Sequence, residues 1–161
     1  MQTLLECIIR YCVCFFGFLS EDVIVGDKLY VVENVGLYHF GVLTSSIHNS
    51  WMRLVAGRMK SDYSYSNTIV CNNFPWPTPT DAQKEKIEKT AQAILDARNL
   101  YPDCSLADLY DETTMPVELR RAHQDNDKAV MEAYGFSRKN ITEADIVAEL
   151  FKLYEKMTKS S

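Results

Sequence analysis

The segment Phe74-Pro-Trp-Pro-Thr-Pro79 constrains this chain more than any other. Proline fixes φ, offers no N–H to a ladder, and pushes the residue before it toward extended backbone. With prolines at 75, 77 and 79, neither a helix interior nor a central strand can run through here. The chain is therefore divided into two parts, and their hydrophobic periods differ.

After the prolines every signal is helical. Thr80-Asp-Ala-Gln83 is a capping box, and Ile87, Ala91, Ile94 and Leu95 share one face of the helix that follows. Pro102 ends it, and Ser105 to Tyr110 suits a single turn. Pro116 opens a second long helix with Leu119, Ala122, Val130 and Ala133 inward and Gly135 as its stop. Thr142 caps a third, which aligns Ile146, Leu150, Leu153 and Met157. Lys152, Lys156 and Lys159 complement the negative end of its dipole.

Before the prolines the period is mixed. Val23 to Val25 and Leu29 to Val32 are β-branched runs separated by the turn signal Gly26-Asp27, and Gly36 marks a break. Phe40, Leu43, Ile47, Trp51 and Leu54 recur at steps of three and four, which predicts one amphipathic helix over 40–56 with Gly57 as its C-cap. The expected fold class is α+β: short strands and a helix, then a small helical domain. Residues 4–19 are strongly apolar but carry Glu6 and Arg10, with no basic leader and no small-residue cleavage site, which argues against a signal peptide. Their uncharged run is too short for a membrane span, so no membrane is expected. The segment belongs against a core. If that core is built by residues outside this chain, the segment is an orphan that pairs with another copy, giving a homo-oligomer.

At 47% hydrophobic the chain can bury a core, and its formal net charge of -5 excludes a generally basic nucleic-acid binder. The exception is residues 38–78, where Arg53, Arg58 and Lys60 face Asp62 alone. Cys7, Cys12, Cys14, Cys71 and Cys104 form no CxxC pair, so incidental thiols in a reducing cytoplasm are expected rather than a zinc site. No residue stands at metal-ligand spacing beside His39, His48 or His123. Glu85, Glu88, Asp125 and Asp127 fall mostly where a solvated helix face is expected, with Glu85 and Lys89 spaced as a surface pair. Glycine-rich cofactor loops, Walker, HExxH and GxSxG motifs are absent, as is the Asp/Asn-Pro-Pro-aromatic tetrapeptide with which amino-methyltransferases hold a flipped base.

The stretch from Trp51 to Asn73 has the residue types of a DNA-facing surface. Arg53, Arg58 and Lys60 can bond phosphates, Tyr63, Tyr65 and Ser66 can bond phosphate oxygens, and Asn67, Asn72 and Asn73 can read adenine. By composition alone it equally suits any exposed loop.

Leu37-Tyr-His-Phe-Gly-Val-Leu-Thr-Ser-Ser46, Trp51-Met-Arg53, Gly57-Arg58, Lys60-Ser-Asp-Tyr63, Tyr65-Ser66 and Asn72-Asn-Phe-Pro-Trp-Pro77 together resemble the end of the target-recognition domain in MmeI-like type IIL enzymes and related class I adenine methyltransferases. Ile94-Leu-Asp-Ala-Arg98, Ser105-Leu-Ala-Asp-Leu-Tyr110, Asn126-Asp-Lys-Ala-Val130 and Ala133-Tyr-Gly-Phe136 resemble that family's helical C-terminal domain. Residues 1–16 look unlike the family, which leaves 17–78 as the end of a target-recognition domain and 79–161 as a helical domain. The resemblance implies a double-stranded DNA partner through Arg53, Arg58, Lys60, Tyr63, Tyr65, Ser66 and Asn67. It also implies S-adenosylmethionine as the cofactor of a longer relative, held by an upstream methyltransferase domain that these residues do not include, so no cofactor, metal or catalytic residue is expected here. The alternative is a stand-alone protein-interaction module with no role on DNA.

Overall fold

The computed structural model describes residues 3–10, 13–19, 31–32, 35–59, 62–64, 67–136 and 141–159. Thr3–Arg10 (β1) and Val13–Leu19 (β2) form an antiparallel hairpin, paired from Thr3 opposite Leu19 to Arg10 opposite Val13, with an irregularity between Leu5 and Ile8. Val31–Val32 (β3) adds to the other side of β1, giving the order β2-β1-β3. The predicted run Val23 to Val25 and the start of Leu29 to Val32 lie outside the described residues.

The apolar N-terminal segment is not orphaned where it is described. Phe16 is buried against His48, with ring centroids 5.7 Å apart, and the Phe18 ring lies 5.5 Å from that of Phe40. Both aromatics pack on the chain's own core.

The helix predicted over 40–56 is two helices, Leu37–Thr44 (α1) and Ser46–Val55 (α2), separated at Ser45. Ser45 is extended, with φ -71 and ψ 158. Its amide bonds back to Val42 O at 3.2 Å, and its hydroxyl donates to the same carbonyl at 2.6 Å while accepting from His48 N. A serine side chain that competes for nearby backbone groups favours such a cap over a helix interior. Gly57, expected as the C-cap, instead begins a strand. The cap is Ala56, whose amide reaches Met52 O at 2.9 Å.

The tail follows the sequence closely. Asp81–Asn99 (α3) starts on the Thr80/Gln83 capping box, Leu106–Leu109 (α4) is the single turn, and Val117–Ala133 (α5) follows Pro116 as N-cap. Gly135 has φ 72, with its amide on Glu132 O and the Phe136 amide on Met131 O. This left-handed Schellman ending favours glycine. Glu143–Lys159 (α6) buries Ile146 and Leu150, while Met157 at the end of the same stripe is exposed. Helices thus make up most of the described residues, and the strands are short. No helix among the described residues is long and apolar enough to cross a membrane.

α1, α3 and α5 meet at Gly41. A Cβ there would stand 2.7 Å from Ile87 Cγ2, 3.0 Å from Asn126 Oδ1 and 3.2 Å from Ala91 Cβ. Fully buried Asn126 donates from Nδ2 to Gly41 O at 2.8 Å and accepts from the Thr90 hydroxyl at 3.1 Å. Its neighbour Asp127 accepts from Ser46 N at 2.7 Å, capping α2 from another helix. Asp127 was expected on a solvated face, but burial raises its pKa, opposed by the hydrogen bond from Ser46.

The proline segment is a packed strap. Phe74, Pro75 and Pro77 are buried, and the hydroxyls of Tyr134 and Tyr38 donate to Pro75 O at 2.8 Å and Pro77 O at 3.4 Å. One continuous hydrophobic core runs from Phe16 to Leu150 across it. A buried polar cluster closes the other side. Arg98 donates to Phe16 O at 2.7 Å and to the Tyr110 hydroxyl at 2.6 and 2.9 Å. That hydroxyl lies 2.6 Å from His123 Nε2. Arginine has no acceptor, so the Tyr110 proton is left to donate to His123, which fixes a neutral imidazole.

Two outcomes follow from this packing. Gly41→Ala would gain up to about 1 kcal/mol of helix propensity, but overpacking against Ile87 and Asn126 costs about 1–3 kcal/mol. Urea unfolding of the variant should show a net loss of stability, and an unchanged or raised midpoint would contradict the close approach. The second concerns pH. Burial lowers the pKa of His48 to about 3 and that of His123 to about 3, the latter with Arg98 as a lesser cause. Unfolded histidine titrates near 6.5, so between roughly pH 6.5 and 3 the unfolded chain binds the extra protons. Their contribution is complete above about 6.5 and falls as pH drops, by on the order of 1–2 kcal/mol per histidine by about pH 5. His123→Gln, which can still accept from Tyr110, should lose correspondingly less stability between pH 7 and 5 than the unaltered chain.

Candidate nucleic-acid interface

The segment singled out by its charge begins on α2. The inward face of that helix carries Trp51, which is fully buried, while Arg53 occupies the last turn, where a cation suits the helix dipole. Gly57–Met59 (β4) and Asp62–Ser64 (β5) then form an antiparallel ribbon in which Arg58 stands opposite Tyr63. β5 also lies beside β1, so the ribbon backs onto the N-terminal sheet. Asn67–Cys71 is a single π-helical turn that leads directly into the strap.

That turn is held by tethers from both sides. Trp51 Nε1 donates to Val70 O at 3.1 Å, and Val70 is fully buried. Asn73 Nδ2 donates to Thr68 O at 3.0 Å and Ile69 O at 3.2 Å, satisfying carbonyls that end the turn. The Phe74 amide bonds to Cys71 O at 3.3 Å. Phe151 and Tyr154 of α6 pack on the Trp51 ring at 5.5 and 5.9 Å, so the tail supports the turn through this tryptophan.

Of the predicted contact residues, Arg53 is engaged with the tail. Its Nε and Nη2 each lie 2.7 Å from Glu143 Oε1, and Nη2 lies 3.4 Å from Ser50 Oγ. The pair ties the end of α2 to the first turn of α6 and stays partly solvated, so about 0–1 kcal/mol is its worth. Arg58 and Tyr63 are brought together by the ribbon register, and Asn67 opens the π turn. Lys60, Tyr65 and Ser66 lie outside the described residues. Sequence reasoning missed the π turn. Thr68-Ile-Val70 carries no period, and only the pair of asparagines after it hinted at a capped end.

Elsewhere, two surface grooves share Tyr134 and Leu153, and neither is lined by a residue between 53 and 73. Among the described residues no group of three His, Cys, Asp or Glu side chains is gathered as metal ligands. His48 and His123 are core histidines. Among the described residues, Arg58 on β4 stands opposite Tyr63 on β5, with Asp62 beside it, and the turn Asn67–Cys71 carries no charged residue.

Comparison with known proteins follows the same division. Residues 11–78 match the family model of the MmeI target recognition domain, and residues 79–160 that of the MmeI C-terminal domain. DNA methyltransferase A of Bacillus subtilis (strain 168) is 37% identical over 142 residues, which cover 88% of this chain and 16% of that protein. The solved structure of the type IIL restriction-modification enzyme MmeI in complex with DNA superposes with a TM-score of 0.92 at 44% identity, over 98% of this chain and 21% of that one. The chain therefore spans about a fifth or less of the length of these relatives. With both models matched in order across nearly its whole length, the chain belongs to the MmeI-like DNA methyltransferase family and comprises its target recognition and C-terminal domains.

Proposed function

We propose that this chain is the DNA-recognition and scaffold part of an S-adenosylmethionine-dependent adenine methyltransferase of restriction-modification type, acting on double-stranded DNA. The carrying observation is that residues 38–78 of the matched target recognition domain hold Arg53, Arg58 and Lys60 against Asp62 alone, with Arg53 in the last turn of α2 and Arg58 on β4. A solved relative bound to DNA supports the same reading. In this reading residues 17–78 read DNA and residues 79–161 hold the reading surface in place. Together they form the α+β piece of a larger enzyme that works in the cytoplasm.

Arg53, Arg58 and Lys60 are the proposed phosphate contacts, with Tyr63, Tyr65, Ser66 and Asn67 beside them. Neutralising a phosphate releases condensed counterions, so each contact adds to the salt dependence of binding. Arg53 is the partial exception: its guanidinium already faces Glu143, and a phosphate must compete with that carboxylate. The methyl donor belongs in this reading to a domain outside these residues, because the chain holds neither a glycine-rich cofactor loop nor a base-holding tetrapeptide.

Single replacement of Arg58 or Lys60 by Ala should lower the slope of log affinity against log salt by about one unit each. Arg53→Ala should lower it less, and Lys84→Ala or Lys152→Ala on the tail should leave it unchanged. Fluorescence anisotropy with a duplex at several salt concentrations reads this directly. The assignment fails if the tail variants weaken binding as much as the ribbon variants, or if none of the three changes slope or affinity. For the cofactor, calorimetry of this chain with S-adenosylmethionine should give no saturable heat, and a methyl-transfer assay on genomic DNA no incorporation. Saturable binding would overturn the placement of the cofactor site outside the chain.

A further inference from the structure

The π turn Asn67–Cys71 is an unusual element in an unusual place. π-helical geometry is rare, and most instances are single turns. Here it is tethered, by Trp51 on Val70 O and by Asn73 on Thr68 O and Ile69 O. The strap that follows is itself buried. Among the side chains described in this turn, Thr68 and Ile69 are exposed, Ile69 at 48%.

A lone exposed apolar side chain is ordinary on a protein surface. Ile69 differs in being fixed on a tethered turn next to the proposed reading ribbon. Only two residues separate Ser64 at the end of β5 from Asn67. At 3.8 Å per residue the two elements start within about 11 Å of each other, which is about three base-pair steps of a duplex at 3.4 Å each. Both therefore fall within one DNA footprint. A branched apolar side chain offers no hydrogen bond, so the one feature of the major-groove edge it can read is the C5-methyl group of thymine.

We propose that Ile69 is a specificity-determining residue that packs against a thymine methyl group, with the tethered π turn as its mount. The proposal rests on the DNA-binding reading above and adds a chemical identity to one base. Thr68, exposed beside it, suits a phosphate oxygen at the same step.

Uracil for thymine removes that methyl group and nothing else. Duplexes selected by this chain from a randomised pool would be remade with deoxyuridine at each thymine in turn, and affinity measured for the unaltered chain and for Ile69→Ser. The substitution lies on an exposed position, and an unchanged melting temperature verifies that the turn still folds. One thymine should lose about fourfold in affinity on demethylation, the value of one buried methyl-sized group. Ile69→Ser should be insensitive to the same change and bind the thymine duplex about fourfold more weakly. Equal uracil effects in the two proteins at every position, with salt-dependent binding intact, would overturn the role of Ile69 and leave the DNA-binding reading standing. Absence of any salt-dependent binding by the unaltered chain would overturn both.

Discussion

The interruption at Ser45, clamped by two consecutive residues of α5, is the constraint on which the rest of the arrangement depends. Once Ser45 turns its amide to Val42 O, the buried Gly41 O and the part-buried Ser46 N are left to find other partners. Leaving either unmet would cost about 1–3 kcal/mol. Asn126 supplies a donor to the first and Asp127 an acceptor to the second. Because these two groups are adjacent on one helix, satisfying both fixes the position and rotation of α5 against α1 and α2 together. The absence of a side chain at Gly41 lets α3 close on the same point.

That clamp joins residues on opposite sides of the proline strap, and it is not the only such link. Tyr134 and Tyr38 hold the strap by its carbonyls, Arg98 of the tail reaches Phe16 O of β2, and Phe151 and Tyr154 back Trp51. Buried hydrogen bonds of this kind matter chiefly through the penalty for breaking one partner. The recognition segment therefore has no hydrophobic core of its own among the described residues. Its helices are half of a core whose other half is the tail. The family models meet at 78/79, but the physical unit does not divide there.

The tail was legible because its signals are local. A capping box at Thr80, prolines at 102 and 116 and a glycine with positive φ at 135 each act within one turn, and they set α3 to α6 nearly to the residue. The first half was less legible because its decisive partners are distant in sequence. The period over 40–56 could not show that Asp127, 81 residues after Ser46, would cap a second helix. The apolar run 4–19 could not reveal its own core, since Phe16 and Phe18 meet His48 and Phe40 only in space. Asp127 read as a solvated acid for the same reason. The family resemblance, by contrast, rested on residues whose spacing serves this packing, among them Phe74-Pro-Trp-Pro77 and Asn126-Asp127.

The same distinction bears on the interface. Arg58 and Tyr63 were singled out for their chemistry, and the ribbon register sets them opposite each other. Arg53 was singled out with them, and its guanidinium meets the Glu143 carboxylate of the tail. A guanidinium that bridges α2 to α6 can position the ribbon even where it meets no phosphate, and the two roles carry different signatures. Loss of a phosphate contact reduces salt dependence, whereas loss of a support changes affinity at constant slope. A surface pair of this kind contributes about 0–1 kcal/mol to stability. The position of Arg53, between the tail and the ribbon's first strand, is where a small electrostatic term can alter the pose of the ribbon without altering the fold.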